Sequence, residues 1–181
     1  MKVKRLLPVC VTLLAAAAAV CWVLFFEKAR VYGHSMEPVL KDGQTVLVDK
    51  LAYRLGEPER FDVIVFRDRR EEGRYYMKRI VGLPGETVQI IGSDIYINGE
   101  ILEEDYGLEP IQYANRAAEP ITLGEDEYFC VGDNLYNSHD SRTWMDERIS
   151  EEDVVGPLTL DMIVGKVRYV IWPLDEIGAV E

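Results

Sequence analysis

The chain has 181 residues, of which 48% are hydrophobic, 29% charged and 10% aromatic. This length fits a single globular domain, and this hydrophobic content excludes a disordered chain. The formal net charge of −12 would repel phosphate backbones, so we do not expect nucleic acid as a partner.

The charge is distributed unevenly along the chain. Residues 1–30 contain five basic side chains and one acidic one, Glu27, which gives +4. The remaining residues contain 15 basic and 31 acidic side chains, which gives −16. A basic, apolar head joined to an acidic body is typical of a membrane anchor, here 1–30, followed by a domain in water, here 31–181.

The predicted transmembrane helix is the uncharged run of 21 residues from Leu6 to Phe26. As a helix it would reach about 31 Å, close to the roughly 30 Å of the hydrocarbon core. A cleaved secretory signal is the alternative, because Ala15 to Ala19 offers cleavage sites. The apolar region of such signals is usually only about 7 to 15 residues, which favours a retained anchor. The positive-inside rule places the N-terminus in the cytoplasm and the acidic body outside the plasma membrane.

Turn residues divide the body into short segments rich in β-branched and aromatic residues, which predicts a mainly β fold. We expect Gly92 to Asp94 at a hairpin tip and Ser150 to Asp153 in one capped helical turn. Residues 103–120 are expected to form an irregular surface excursion. The predicted strands are Thr45–Asp49, Asp62–Phe66, Tyr75–Val81, Thr87–Ile91, Ile95–Ile97, Glu127–Val131 and Val164–Ile171.

The three cysteines do not form a disulfide framework. Cys10 and Cys21 lie in the apolar run, and Cys130 is alone in the body. Because Cys130 follows two aromatic residues in a predicted strand, we expect a buried structural thiol, with a nucleophile as the alternative.

Ser35 is the first residue that suggests chemistry. It lies just after the predicted anchor, between Gly33 and the Met-x-Pro turn that ends at Pro38. Such a bend can expose a hydroxyl, although a serine that bonds to its own backbone in a turn is the plainer interpretation. A serine nucleophile also needs a base, because its own pKa is too high.

Three residues are candidates for that base. His34 is adjacent to Ser35, so on an extended chain the two side chains point apart. His139 lies in a later polar loop and stays possible. Lys78 lies in an apolar predicted strand, where burial would disfavour the ammonium form and lower the pKa toward that of a useful base. A lysine whose amine extends to solvent is the alternative interpretation.

A polar segment from Gly132 to Arg142 offers supporting groups. Asp140 and Arg142 could form an ion pair. Ser138 could donate a hydrogen bond to a neutral lysine amine and orient it.

Taken together, these segments resemble the bacterial type I signal peptidases. The resemblance covers nearly the whole chain and lies in an ordered set of motifs, each modest by itself. The motifs are Ser35-Met36-x-Pro38, Asp42-Gly43, 46–50, 76–86, Gly132-Asp133-Asn134, 137–142, Gly165-Lys166-Val167 and Trp172-Pro173-Leu174.

The resemblance implies an antiparallel β-sheet catalytic domain behind an N-terminal transmembrane helix. It implies Ser35 as nucleophile, Lys78 as general base and Ser138 as the serine that orients the lysine, with no cofactor and no metal. Asp140 and Arg142 would form a structural ion pair. Substrates would be secretory preproteins, cut after small side chains at −1 and −3.

The substrate backbone is expected to pair with the strand before Lys78, namely Tyr75, Tyr76 and Met77, with Met36 helping to form the pockets. The chain departs from the family at Gly33, Val39, Leu135 and Tyr136. Because Gly33 replaces a serine of some members, the oxyanion hole would use backbone N–H groups, including that of Ser35. None of these departures removes the nucleophile or the base.

Two alternatives remain open. Self-cleaving repressor peptidases share a Ser/Lys pair and a β-rich core, but they are soluble and lack an anchor. An anchored module could also bind signal peptides with little or no cleavage. Because the acidic body should be repelled by anionic headgroups, we further hypothesise that an apolar surface beside Ser35 contacts the lipid bilayer.

Overall fold

The computed structural model describes residues 3–69, 72–103, 111–144 and 157–180. It begins with helix α1 (Val3–Phe25), which includes most of the predicted anchor. Among the described helices, none has the combined length and apolar content that a bilayer crossing needs.

The chain continues from α1 directly into strand β1 (Phe26–Arg30), which pairs with β2 (Thr45–Asp49) in antiparallel register. The last five residues of the segment 1–30 therefore belong to a sheet. In this edge strand Phe26 and Ala29 are half-buried, while the charged residues between and after them are exposed.

The remaining described strands and helices are short. The helices are α2 (Ala52–Leu55) and α3 (Ser141–Trp144), with 3₁₀ turns at Asn115–Ala118, Leu160–Met162 and Leu174–Glu176. The strands are β3 (Val63–Arg67), β4 (Tyr75–Gly82), β5 (Thr87–Ile91), β6 (Asp94–Ile97), β7 (Glu100–Ile101), β8 (Ile121–Thr122), β9 (Glu127–Val131), β10 (Leu158–Thr159), β11 (Ile163–Trp172) and β12 (Gly178–Ala179).

These strands form two antiparallel sheets. The main sheet has the order β1-β2-β11-β3-β4-β9-β10, with β12 paired to β11. The second sheet has the order β7-β6-β5-β8. The long strand β11 lies between β2 and β3, so it connects the strand beside α1 to the strands that lead to Lys78.

Side chains alternate between the faces of a strand, and β3 shows how the core is divided. Val63 and Val65 pack in a cluster with Met36 and Leu40, which attaches the segment after β1 to one face of the main sheet. Ile64 and Phe66 pack on the other face with residues that include Cys130 and Trp144. A third cluster lies between the second sheet and β4 and β9; it includes Val81, Val88, Ile90, Ile121, Phe129 and Val131.

The structure confirms the mainly β, antiparallel fold. The predicted strands at 45–49, 87–91 and 127–131 have the observed bounds, and the other four differ by one residue at one or both ends. The hairpin tip at Gly92 and Ser93 joins β5 to β6 as predicted. The capped turn expected at Ser150 lies outside the described residues, as does part of the excursion at 103–120.

Candidate active site

Ser35 and Lys78 meet at the side of the main sheet. Ser35 lies in the turn that follows β1, and Lys78 lies in β4 opposite Ile64 of β3. The Nζ atom of Lys78 is 2.8 Å from Ser35 Oγ and donates a second hydrogen bond to the Met77 carbonyl at 3.0 Å. The two groups can therefore exchange a proton directly.

Lys78 does not extend to solvent, because only 3% of the residue is exposed. Burial, the largest cause, lowers the pKa of Lys78 from 10.5 to about 8. The charge of Arg142 also lowers this pKa, whereas the carboxylates of Asp140 and Asp133 oppose the shift. A substantial fraction of the amine is therefore neutral in mildly alkaline solution, where it can accept a proton.

Three hydrogen bonds hold the backbone around Ser35. Gly33 has a φ of +79°, a conformation that favours glycine, and its N–H donates to Asp42 Oδ1 at 2.7 Å. Asn134 donates its backbone N–H to the Ser35 carbonyl and its side-chain Nδ2 to the His34 carbonyl, each at 3.1 Å. Within the described residues the N–H of Ser35 has no protein acceptor, so it stays available to a ligand.

The Asp140–Arg142 ion pair is present and buried. Arg142 Nε and Nη2 donate to the two carboxylate oxygens of Asp140, both at 2.8 Å. Asp140 also accepts the N–H of Gly132, and Arg142 donates to the carbonyl of Leu135 at 2.8 Å. The pair therefore closes the loop at 132–142 upon itself and fixes its position beside β9.

A second buried ion pair joins Arg79 and Asp133, for which the sequence predicts no role. Arg79 Nε and Nη2 donate to Asp133 Oδ1 and Oδ2 at 2.7 and 2.8 Å, and neither residue is more than 2% exposed. Arg79 follows Lys78 in the chain, and Asp133 precedes Asn134. The available signal is the same one that favoured Lys78: a charged residue in an apolar strand requires a partner.

Ser138 lies close to the dyad but does not bond to Lys78. Its Oγ is buried, and no hydrogen-bond partner is found for it among the described atoms. This differs from the prediction that Ser138 donates to the lysine amine, because the described hydrogen bonds of Nζ go to Ser35 and Met77. Ser138 and Ser35 both pack closely against Gly132. A Cβ at this position would overlap both Ser138 Oγ and the Ser35 carbonyl oxygen, so only glycine fits there.

Neither of the other candidate bases, His34 and His139, has a described hydrogen bond to Ser35, and the other candidate nucleophile, Cys130, is buried. His34 Nδ1 is 2.8 Å from Glu37 Oε1, a hydrogen bond that raises the pKa of His34. His139 Nδ1 accepts a hydrogen bond from Trp144 Nε1 at 2.7 Å. Cys130 is fully buried, as predicted, and burial raises the pKa of its thiol.

A cleft of about 450 Å³ opens beside the dyad and is bordered by both Ser35 and Lys78. Met36, Tyr75, Tyr76 and Met77, the four predicted substrate contacts, all line it. Further lining residues are Val48, Val65 and Val164 from three strands of the main sheet. Among the residues that the structure describes, no group of three or more His, Cys, Asp or Glu side chains could hold a metal ion.

Comparison with known proteins decides the family. Residues 3–172 match the family described as "Signal peptidase, peptidase S26". The chain belongs to this family. It is 33% identical to signal peptidase I U of Bacillus subtilis strain 168 over 165 residues. This alignment covers 88% of this chain and 87% of that protein. It is 34% identical over 163 residues to signal peptidase I of Bacillus caldolyticus, with 83% and 82% covered.

A solved signal peptidase I structure from Enterococcus faecalis V583 is also similar, with 31% identity and a TM-score of 0.47 over 61% of this chain and 97% of that chain. The family and the named relatives identify this signal peptidase as a serine endopeptidase, a hydrolase. The resemblance inferred from the sequence motifs is therefore confirmed.

Proposed function

We propose that the chain is a membrane-anchored signal peptidase that removes signal peptides from secretory preproteins with a Ser35/Lys78 dyad. The observation that carries the proposal is the 2.8 Å distance between Lys78 Nζ and Ser35 Oγ. The amine of Lys78 is buried at this site, and burial lowers its pKa to about 8. Membership of the signal peptidase family supports the reaction, and the contact between Lys78 and Ser35 supports the choice of residues.

The reaction follows from these positions. Neutral Lys78 accepts the Ser35 proton while Oγ attacks the carbonyl carbon of the scissile peptide. The resulting oxyanion accepts a hydrogen bond from the Ser35 N–H, which is free of other described acceptors. The Lys78 ammonium then donates its proton to the departing amine and leaves an ester on Ser35. A water then loses a proton to Lys78 and attacks the ester carbonyl. Lys78 returns that proton to the departing Ser35 Oγ, which restores the dyad and releases the signal peptide with a new carboxylate.

The substrate backbone pairs with the edge of β4. Strand β3 covers one edge of β4 from Tyr75 to Arg79, whereas β9 begins its pairing on the other edge only at Arg79. The residues before Lys78 on that edge line the cleft instead. An extended preprotein segment added there would carry its scissile carbonyl toward Ser35. Met36 and Met77 then limit the pockets, so that small side chains fit at −1 and −3.

Ser138, Asp140 and Arg142 keep supporting roles in this proposal. A buried hydroxyl normally has a hydrogen-bond partner, and the neutral amine of Lys78 is the partner that we assign to Ser138 during the reaction. The Asp140–Arg142 pair holds the Ser138 loop at the required distance. Ser138→Ala should lower kcat about tenfold or more with little change in KM.

The anchor is proposed on the charge pattern and on α1. This helix has 23 residues, and its described apolar side chains are largely exposed, including Leu14 at 71% and Val23 at 72%. A helix that exposes many apolar side chains in this way is expected where lipid surrounds it in place of water. The N-terminus would lie in the cytoplasm and the catalytic domain on the outer face of the plasma membrane, with the domain beginning at Phe26.

Single substitutions in the full chain test the dyad. Ser35→Ala and Lys78→Ala should each lower kcat for a preprotein in detergent by a factor of about 10⁴ or more. Thermal unfolding should show that both variants remain folded. Ser93→Ala, at the hairpin tip, and Lys41→Ala are matched controls and should keep full activity.

Cleavage retained by either dyad variant would exclude the proposed mechanism. A wild-type chain that binds signal peptides without cutting them would instead support the alternative of an anchored binding module.

A further inference from the structure

A second cavity of about 320 Å³ lies next to the cleft and differs from it in charge. Lys50, Arg54 and Arg67 line it together with Tyr53 and Tyr75, and none of its lining residues is acidic. This is unexpected in a chain with a net charge of −12. The cavity therefore concentrates positive charge on an otherwise acidic body, which favours an anionic ligand.

Intramolecular partners neutralise these three cations only in part. Lys50 Nζ is 3.2 Å from the carboxylate of Glu27, a half-exposed pair of little strength. Arg67 donates to the backbone carbonyl of Asp161, which carries no net charge. The backbone N–H of Arg54 donates to the Leu51 carbonyl, whereas its guanidinium has no hydrogen bond and no ion pair among the described residues. At least two guanidinium groups thus remain available to an anion, and guanidinium groups match phosphate oxygens in geometry.

The position of the cavity indicates which anion. The N–H of Lys50 donates to the carbonyl of Phe25, the last residue of α1, at 2.8 Å. If α1 is the anchor of the proposed function, on which this inference rests, Lys50 lies where the chain leaves the hydrocarbon. Lipid phosphates occupy that level, and Tyr53 and Tyr75 are of the residue type enriched there.

We propose that Lys50, Arg54 and Arg67 form a binding site for the phosphate of an anionic phospholipid headgroup. The site counteracts the repulsion between an anionic membrane surface and residues 31–181, whose net charge is −16. Because Tyr75 and Val164 line both cavities, the bound lipid also holds this shared wall of the cleft close to the membrane.

The test measures the accessibility of individual arginines in the full chain. The Ser35→Ala variant is reconstituted in vesicles of phosphatidylcholine, with or without phosphatidylglycerol. Modification of each arginine by phenylglyoxal is followed by peptide mass spectrometry. We expect Arg54 and Arg67 to react about fivefold more slowly when phosphatidylglycerol is present. Arg116, which lies next to the second sheet, should react at the same rate in both vesicles and serves as the internal reference.

Two variants separate the site from a general surface effect. Lys50→Gln should reduce the protection of Arg54 by phosphatidylglycerol, because it removes one of the three charges. Lys41→Gln removes a charge outside the cavity, where Lys41 pairs with Glu176, and should leave the protection unchanged. Equal effects of the two variants would overturn the proposal.

Other outcomes identify other ligands. Inorganic phosphate added to the detergent-solubilised chain should give little protection; protection equal to that by phosphatidylglycerol would show a site for free phosphate. Protection by a preprotein in phosphatidylcholine vesicles alone would assign the cavity to the substrate. Either result overturns the lipid site.

The design also separates this inference from the proposed function. A chain that fails to float with either vesicle would refute the anchor, and the lipid site with it. A chain that floats with both vesicles but shows equal rates would refute the lipid site alone.

Discussion

Asn134 holds the backbone of Ser35 through two hydrogen bonds. Its N–H donates to the Ser35 carbonyl, and its side-chain Nδ2 donates to the carbonyl of His34, each at 3.1 Å. The next residue toward the N-terminus, Asp133, forms the buried ion pair with Arg79 beside Lys78. The nucleophile and the base are thus attached to one short segment, although they are 43 residues apart in the chain.

Replacing Asn134 should therefore impair catalysis more than folding. Asn134→Ala removes two side-chain hydrogen bonds, the one that Nδ2 donates to the His34 carbonyl and the one that Oδ1 accepts from the Asn137 N–H. Each is worth about 0.5–1.5 kcal/mol, and we expect kcat to fall about three- to tenfold with KM nearly unchanged. Asn134→Asp should be no better, because a carboxylate cannot donate to a carbonyl. Steady-state kinetics on a preprotein provide the measurement. Asn137→Ala, three residues away in the same loop, is the matched control, and an equal loss in that variant would contradict the assigned role.

Gly132→Ala tests the close approach of Ser35 and Ser138. The added methyl group would overlap both the Ser35 carbonyl oxygen and Ser138 Oγ, so the two segments must separate. We expect a loss of about 1–3 kcal/mol in unfolding free energy and about a 100-fold loss in kcat from the displaced nucleophile. Gly178→Ala is the control, because the nearest atom to a Cβ there is 4.0 Å away. Wild-type kcat in Gly132→Ala would mean that the dyad tolerates the displacement.

The sequence predicts the strands that are long enough to show a pattern. β2, β5 and β9 are found at the predicted residues. The two-residue strands β7, β8, β10 and β12 were not predicted, because two residues cannot show alternation. β1 was missed because Glu27, Lys28 and Arg30 follow an apolar run, and such charges are typical of the segment that flanks an anchor.

The site was predictable in its residue types but not in its contacts. A lysine within an apolar strand signals burial, and Lys78 is buried. Its distance to Ser35 depends on the register of β4 against β3 and on the packing of Met36 and Leu40, which no local pattern specifies. The same reasoning applies to Arg79, whose partner Asp133 lies 54 residues away.

Removing one member of the Arg79–Asp133 pair should destabilise the site, because the other charge would then be buried without its partner. Asp133→Ala leaves the Arg79 guanidinium without its main counter-charge and should lower the unfolding free energy by about 3–5 kcal/mol. The double variant Arg79→Met/Asp133→Leu should recover much of that loss. Urea unfolding of the detergent-solubilised chain provides the measurement. Glu27→Ala breaks the exposed pair with Lys50 and should cost no more than about 1 kcal/mol. Equal losses in Asp133→Ala and Glu27→Ala would contradict the importance of burial.

The pH dependence of cleavage reports the ionisation of the base. Burial lowers the pKa of Lys78 to about 8, and only the neutral amine can accept the Ser35 proton. Below this pKa, kcat/KM should therefore rise about tenfold per pH unit, and above it kcat/KM should become constant. The pH profile is measured on a preprotein whose own ionisation lies outside the range studied.

One control variant, Glu37→Gln, shows whether Lys78 or His34 is the base whose ionisation sets this pH profile. The hydrogen bond that His34 Nδ1 donates to the Glu37 carboxylate raises the pKa of His34, so Glu37→Gln should lower the pKa of that imidazole without affecting Lys78. If Lys78 is the base, wild type and Glu37→Gln should share a midpoint near 8. A midpoint closer to neutrality that moves to lower pH in Glu37→Gln would instead assign the base to His34, and the buried lysine would then serve only to position Ser35.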